Sequence, residues 1–113
     1  MQITSLKATG IDLTPAIKEY VELKLDYIAK LVSKEESASI DVEVGKSTYH
    51  HNKGEIMFAR FTLSIPGEMF TVEETEEELY KAIDKAKDDL SRRIIDRKER
   101  LTDRNRQPRP DKM

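Results

Sequence analysis

The sequence predicts a two-layer α+β domain with the element order β-α-β-β-β-α, in which a four-stranded sheet carries two helices on one face. Two apolar stripes with helical spacing stand at residues 17–32 and 79–101, and stretches of apolar and polar alternation stand before and between them. A strand, a helix and a strand in succession imply a right-handed crossover and parallel pairing of the first two strands. Placing both helices on one face of the sheet buries both stripes.

The first two elements are a strand and an amphipathic helix. Residues 3–11 alternate without a helical period and predict the strand. Thr14 is the predicted N-cap of the helix, and Pro15 fits its first position, where a missing N–H costs nothing. The helix of about five turns buries one apolar stripe, formed by Ile17, Tyr20, Val21, Leu25, Ile28 and Val32.

Three strands in an antiparallel meander are predicted for the middle of the chain. Ile40, Val42 and Val44 alternate with polar residues, which indicates a strand with one buried face. The polar loop GKSTYHHNKG separates it from a second alternating stretch at residues 57–65. Pro66 and Gly67 then signal a turn, and residues 69–72 are predicted as a short third partner.

The second helix explains why residues 73–100 begin with carboxylates and end with arginines. Thr75-Glu76-Glu77-Glu78 has the form of a capping box, so Thr75 is the predicted N-cap and the acids lie at the positive end of the helix dipole. The buried stripe is predicted to run to residue 101. Acid-first i,i+4 pairs give several cations a structural role: Glu77 with Lys81, Asp88 with Arg92, Asp89 with Arg93 and Asp96 with Arg100.

The charge of the chain is divided unevenly. The net charge is −2, but residues 1–80 hold eight Lys/Arg against fifteen Asp/Glu, whereas residues 81–113 hold twelve against seven. This asymmetry suggests a nucleic-acid partner, and a solvated charged helix with a tail is the alternative. The domain is predicted to span residues 1–102, with a disordered basic tail at 103–113.

Other classes of protein receive little support. An apolar run of about 18 residues, a secretory signal and cysteine are all missing, so we expect a cytoplasmic protein without membrane contact. No phosphate loop, G-x-S-x-G or Cys/His arrangement is present, so we expect no catalytic residues, cofactor or small-molecule substrate. His50 and His51 beside Asp41 or Glu43 suggest zinc, but a structural site needs four ligands, and we predict no metal.

Two segments carry a specific family resemblance. IDLTPAIKEYVELKLDYIAKL resembles the first-helix signature of the ribosome hibernation-promoting factors, also called ribosome-associated translation inhibitors, and ELYKAIDKAKDDLSRRI resembles their second-helix signature. ARFTLSIPGE stands where that family has its central hairpin. The resemblance implies the fold described above and a protein that docks in the tRNA and mRNA channel of the small ribosomal subunit, contacts rRNA with basic residues of both helices, and keeps idle ribosomes from translating.

The resemblance also implies which residues contact rRNA. Lys81, Lys85 and Arg92 fall within about 40° on a helical wheel. The predicted rRNA-binding residues are Lys24, Lys30, Lys81, Lys85, Arg92, Arg93, Lys98 and Arg100, with His50, His51, Lys53, Arg104 and Arg106 as further candidates. Tyr27, Asp89 and Asp96 stand where many members have a basic residue, so contacts are expected to be fewer or relocated. We expect the free protein to be a monomer. We also expect it to be of the family's short form, which lacks the additional dimerisation domain.

Two other interpretations remain open at this point. A general double-stranded-RNA-binding module shares the α-β-β-β-α order, but the last helix here begins with EETEEE, which repels phosphates. A protein-interaction adaptor would use the outer sheet face around Ile56 and Phe58, and it would need no basic surface. The sequence does not distinguish a factor that promotes ribosome pairing from one that protects single ribosomes.

Overall fold

The computed structural model describes residues 1–47 and 56–105 and has the predicted element order. The elements are β1 (Gln2–Thr9), α1 (Pro15–Leu31), β2 (Ser39–Lys46), β3 (Met57–Ile65), β4 (Glu68–Glu76) and α2 (Leu79–Asn105). Within these residues neither helix is long and apolar enough to cross a membrane.

The four strands form one mixed sheet in the order β1-β2-β3-β4. β1 runs parallel to β2, as the crossover predicts, and the other neighbours are antiparallel. Gly45 of β2 pairs with Thr9 of β1, and a Cβ atom at Gly45 would overlap the Thr9 carbonyl oxygen. A glycine is therefore required where these two strands meet.

Both helices cover the same face of the sheet. The alternating residues Ile40, Val42 and Val44 of β2 point into the core, as do Phe61 and Leu63 of β3. The helices contribute their own buried stripes, formed by Val21, Leu25 and Ile28 in α1 and by Leu79, Ala82, Ile83, Ala86, Leu90 and Ile94 in α2. The predicted two-layer α+β fold is confirmed.

The two helices begin differently. Thr14 caps α1 as predicted, because its hydroxyl oxygen accepts the Ile17 N–H at 3.2 Å. The predicted capping box of α2 is wrong. Thr75 pairs with Phe58 inside the sheet, and α2 begins only after Glu78, whose carbonyl oxygen accepts the Ala82 N–H at 3.1 Å. β4 is consequently much longer than the predicted strand at residues 69–72, since pairing with β3 satisfies its backbone through Glu76.

The end of α2 also differs from the prediction. Its buried stripe stops at Ile94, and the Leu101 residue is 38% exposed. With 27 residues, α2 is about 40 Å long, whereas the 17 residues of α1 span about 26 Å. The last turns of α2 therefore extend past the layer that would bury them. The helix continues to Asn105.

Candidate nucleic-acid interface

The two helices lie side by side and run in the same direction. Near their starts, the rings of Tyr20 and Tyr80 meet edge to face with centroids 4.7 Å apart. Near their ends, Arg97 donates a hydrogen bond of 3.1 Å to Glu35, which follows α1. The C-terminal ends of both helix dipoles therefore lie at the same end of the domain, where they favour cations.

A polar seam joins the helices, and it includes Lys24 of the predicted rRNA-binding set. The Tyr20 hydroxyl donates to the Asp84 carboxylate at 2.6 Å, and the Lys24 ammonium lies 3.2 Å from the same carboxylate and 4.8 Å from the Tyr20 ring centroid. The hydrogen bond to Asp84 raises the pKa of Lys24, against the effect of burial. Lys24 thus holds the helices together.

Tyr27 has a role in the same seam. Its ring lies 4.0 Å below the ammonium of Lys87 from α2, a cation–π contact. The resemblance places a basic residue at this position in many members. In this chain, Tyr27 at that position instead contacts the Lys87 ammonium of the neighbouring helix.

Most cations of α2 are held by carboxylates. Lys85 pairs with Glu76 at the end of β4, and Lys81 lies 3.2 Å from Glu78. The predicted i,i+4 pair between Asp89 and Arg93 is confirmed at 3.1 Å.

Arg100 does not use Asp96, its predicted partner, in the described structure. It reaches Glu68 of β4 instead, at 3.8 Å. Glu68 also accepts a 3.0 Å hydrogen bond from Arg97, whose side chain is only 16% exposed. Arg97 therefore links α2 to both β4 and Glu35, a structural role that helical spacing alone did not identify.

The carboxyl groups of Glu74 and Asp89 lie together near Lys85 and Arg92. Burial raises the pKa of Glu74 on β4, and the neighbouring Asp89 of α2 raises it further, while Lys85 and Arg92 oppose the shift. Asp89 stands at a position where the resemblance expects a basic residue. The anions at this edge reduce the positive potential of α2.

Three cations of the predicted set are exposed and have no ion pair with the described residues. Lys30 is in the last turn of α1, Arg92 is midway along α2, and Lys98 is in its last third. Lys34 shares these properties but was missed by sequence reasoning. It immediately precedes Glu35, so the Glu35–Arg97 contact places it near α2. Its position just after a helix C-terminus was the available signal.

Several candidates lie beyond what the structure describes. His50, His51, Lys53 and Arg106 are outside the described residues, and the backbone of Arg104 is in the last turn of α2. Within residues 1–47 and 56–105, no three His, Cys, Asp or Glu side chains are grouped as metal ligands would be.

The outer face of the sheet carries an alternating row of charges. Lys7, Glu43, Arg60 and Glu73 stand opposite one another on the four strands. Arg60 donates to Glu43 and to Glu73, each at 2.7 Å. Glu43 also accepts a 2.6 Å hydrogen bond from Thr9. These charges neutralise one another across the strands.

The apolar surface that an adaptor would use is largely covered. Phe58 lies on the outer face but is only 7% exposed, and the Arg60 guanidinium is 5.4 Å from its ring centroid. Ile56 is half-buried. The predicted adaptor surface around these two residues is therefore not an open apolar patch.

Comparison with known proteins identifies the family. The profile of the family described as "Sigma 54 modulation protein / S30EA ribosomal protein" matches residues 4–102. The chain belongs to this family. The match covers α1, α2 as far as residue 102, and the whole sheet apart from the first residues of β1, so the cations of α2 from Lys81 to Arg100 lie within the matched region.

Three similar proteins give the family further context. The ribosome hibernation promotion factor of Deinococcus radiodurans is 29% identical over 98% of this chain, which spans 56% of that relative's length. The crystal structure of the Thermus thermophilus Protein Y N-terminal domain is 29% identical, with a TM-score of 0.67 over 83% of this chain and 96% of that one. A ribosomal subunit interface protein from Coxiella burnetii shares the fold, with a TM-score of 0.72 at 19% identity over 88% and 99% of the two chains.

Proposed function

We propose that this domain is a ribosome hibernation factor that binds small-subunit rRNA in the tRNA and mRNA channel and blocks translation by occupancy. Membership of the S30EA ribosomal protein family and the likeness to a relative named ribosome hibernation promotion factor support a ribosomal partner. The chain spans about half of that curated relative, so the proposal concerns the domain in hand.

The observation that carries the proposal is the placement of the unpaired cations. Lys30, Arg92 and Lys98 are exposed on two parallel helices, and the described residues provide no carboxylate in ion-pair contact with them. Phosphates can neutralise them without first displacing a carboxylate. Such contacts position a protein on RNA without reading base sequence, which suits recognition of folded rRNA by its shape.

The start of α2 supports this proposal over a general double-stranded-RNA-binding module. Such modules offer a basic N-terminal end of their last helix to phosphates. Here Glu76, Glu77 and Glu78 directly precede α2, and carboxylates at that end repel phosphates. The cations that remain available lie farther along the helices.

Occupancy defines how inhibition should depend on concentration. A protein that fills the channel inhibits in proportion to the ribosomes it occupies, and it competes with tRNA and mRNA for the same space. The mechanism requires no bond to be made or broken. Phosphate neutralisation makes binding weaker as salt concentration rises.

The experiment combines sedimentation with translation. The full chain is sedimented with small subunits, large subunits and an RNA duplex between about 50 and 200 mM salt, and an in vitro translation system is titrated with ribosomes that are empty or filled with tRNA and mRNA. We expect salt-sensitive binding to small subunits and stoichiometric inhibition that filled ribosomes resist. Equal binding to the duplex would favour the general RNA-binding module, and inhibition at substoichiometric protein would contradict occupancy.

A further inference from the structure

α1 carries two exposed apolar side chains beside an unpaired cation. Leu23, Tyr27 and Lys30 stand four and three residues apart, so their side chains are neighbours on one surface of the helix. All three are exposed, and Tyr27 lies outside the hydrophobic core. Asp26 stands one turn before Lys30, but the two side chains form no ion pair in the described structure. This surface therefore offers an aromatic ring next to a cation that a ligand can engage.

The ring of Tyr27 is held in place by the neighbouring helix. The Lys87 ammonium of α2 lies 4.0 Å from the ring centroid. The Lys87 side chain is only 21% exposed and its ammonium also lies 3.3 Å from Asp88, so it has little capacity left for a phosphate. Tyr27 nevertheless remains 44% exposed. Because Lys87 covers one face of the ring, the exposed area lies on the opposite face and along the edge.

Tyr20, on the same helix, is engaged at both its ring and its hydroxyl. Its ring meets Tyr80 edge to face, and its hydroxyl donates to Asp84. The Tyr27 hydroxyl has no hydrogen bond to the described residues, and a cation on one face holds its ring. The packing of the helices therefore accounts for Tyr20 but not for the open face of Tyr27.

The charge beside the ring indicates which partner fits it. An apolar protein surface would leave Lys30 unneutralised, whereas RNA offers a flat base and a phosphate within one nucleotide. Every base has a π face that stacks on an aromatic ring, and this contact is largely independent of sequence. The resemblance places a basic residue at position 27 in many members, but a tyrosine ring cannot neutralise a phosphate. A contact with RNA at this position therefore has to be made with a base.

We propose that Tyr27 is an rRNA-binding residue that stacks on an unpaired base, while Lys30 contacts a phosphate next to that base. This inference rests on the proposed function. The paired bases inside a duplex present no free face, whereas loops and bulges of folded rRNA present unpaired bases. Tyr27 therefore adds affinity for the small subunit and none for a duplex. Because Lys87 already holds the ring, little side-chain freedom is lost when a base binds.

The test compares Tyr27→Leu with Tyr27→Phe and with Tyr80→Leu. Leucine removes the flat ring but stays apolar, and phenylalanine keeps the ring without the hydroxyl. Tyr80 is the matched control, because it is also exposed but its ring packs against Tyr20. Affinity is measured for purified small subunits and for an unrelated RNA duplex of about 20 base pairs.

The flat ring should account for the difference between the variants. Tyr27→Leu should weaken binding to small subunits about tenfold, because one stacking contact is lost. The other two variants should change that affinity by no more than about twofold, and none of the three should change duplex binding. Thermal unfolding of all variants checks that the fold is retained.

Salt dependence separates stacking from phosphate contact. Stacking releases no counterions, so Tyr27→Leu should leave the slope of log affinity against log salt concentration unchanged. Lys30→Gln should make that slope shallower by about 1, since one phosphate contact is lost. A shallower slope for Tyr27→Leu would contradict stacking.

The outcomes separate this inference from the proposed function. Tyr27→Leu binding as tightly as the parent chain would show that an apolar side chain is sufficient, and it would overturn stacking. An equal loss in Tyr27→Phe would assign the contact to the hydroxyl, and an equal loss in Tyr80→Leu would assign it to the helix layer in general. Either result would overturn the role of the Tyr27 ring while the parent chain still binds. A parent chain that does not bind small subunits would overturn the proposed function and this inference with it.

Discussion

The outer face of the sheet and the helix layer are both highly charged, but they arrange their charges differently. On the sheet, Lys7, Glu43, Arg60 and Glu73 alternate in sign across four neighbouring strands. In the helix layer, the described structure leaves cations such as Arg92 and Lys98 exposed and without an ion pair. Charges with fixed opposite neighbours stabilise the domain, and charges without them remain available to a partner.

The geometry of the two elements explains the difference. Residues directly opposite on adjacent strands have Cβ atoms about 5 Å apart, so opposite charges there can pair in several rotamers and lose little side-chain entropy. On a helix the nearest neighbours stand three or four residues away, and exposed pairs at that spacing contribute only about 0.3–0.5 kcal/mol. A helix surface can therefore release a cation to RNA more easily than the sheet can.

The largest expected effect comes from separating β1 from β2, two of the strands that hold the row of charges on the sheet. Gly45→Ala would place a Cβ atom against the Thr9 carbonyl oxygen and force β1 away from β2. We expect a loss of about 3 kcal/mol in the free energy of unfolding, measured with urea. Gly67→Ala is the control, since a Cβ atom there meets nothing within 4 Å and only the φ of +82° disfavours it, at about 1 kcal/mol. Equal losses would contradict the close approach.

A smaller but more specific effect is expected from reversing charge in the helix layer. Arg92→Glu with Lys98→Glu should weaken binding to small subunits at least about tenfold, since two phosphate contacts become repulsive. The free energy of unfolding should fall by no more than about 1 kcal/mol, because both side chains are exposed and the main cost is the like charge that Arg92→Glu places near Glu74 and Asp89. Sedimentation and urea unfolding measure the two quantities.

The control for this variant makes the same change of charge on the sheet. Lys7→Glu with Arg60→Glu brings like charges beside Glu43 and Glu73, so it should destabilise the fold by about 1–2 kcal/mol and leave ribosome binding in place. If both double variants lost binding equally, total charge would matter more than the location of the cations.

The smallest expected effect is a pH dependence of the outer face. The hydrogen bond from Thr9 lowers the pKa of Glu43 below its usual 4.5, with Arg60 and Lys7 acting in the same direction against burial. Because the folded-state pKa is the lower one, this stability is complete above the unfolded-state pKa and is lost as pH falls through the folded-state pKa. Thr9→Val should therefore make thermal stability less sensitive to pH below about 4.5 than in the parent chain.

Thr71→Val is the control for the pH measurement. Thr71 lies on β4, is exposed, and has no side-chain hydrogen bond to the described residues. Its replacement should leave the acid sensitivity of the parent chain unchanged. The same flattening in both variants would show that Thr9 does not act through Glu43.

Local sequence determined much of the fold. The N-cap at Thr14 and the strand alternation at Ile40, Val42 and Val44 each depend on a few neighbouring residues, and the parallel pairing of β1 with β2 follows from the order of the elements. The structure confirms all three. The start of α2 could not be read in the same way. Thr75 fits a capping box as a motif, but pairing with Phe58 on β3 satisfies its backbone first.

The sequence by itself determined which cations the helices carry, because their identities and spacing are fixed along the chain. Only the tertiary structure decided which of them are engaged. Lys24 meets Asp84 because α1 and α2 run in the same direction, Lys85 meets Glu76 because β4 extends to that residue, and Arg97 joins Glu35 and Glu68 from elements far apart in sequence. Helical spacing identifies neighbours within one helix, whereas these partners come from other elements. The packing of the elements therefore decided that Lys30, Arg92 and Lys98 have no ion pair in the described structure.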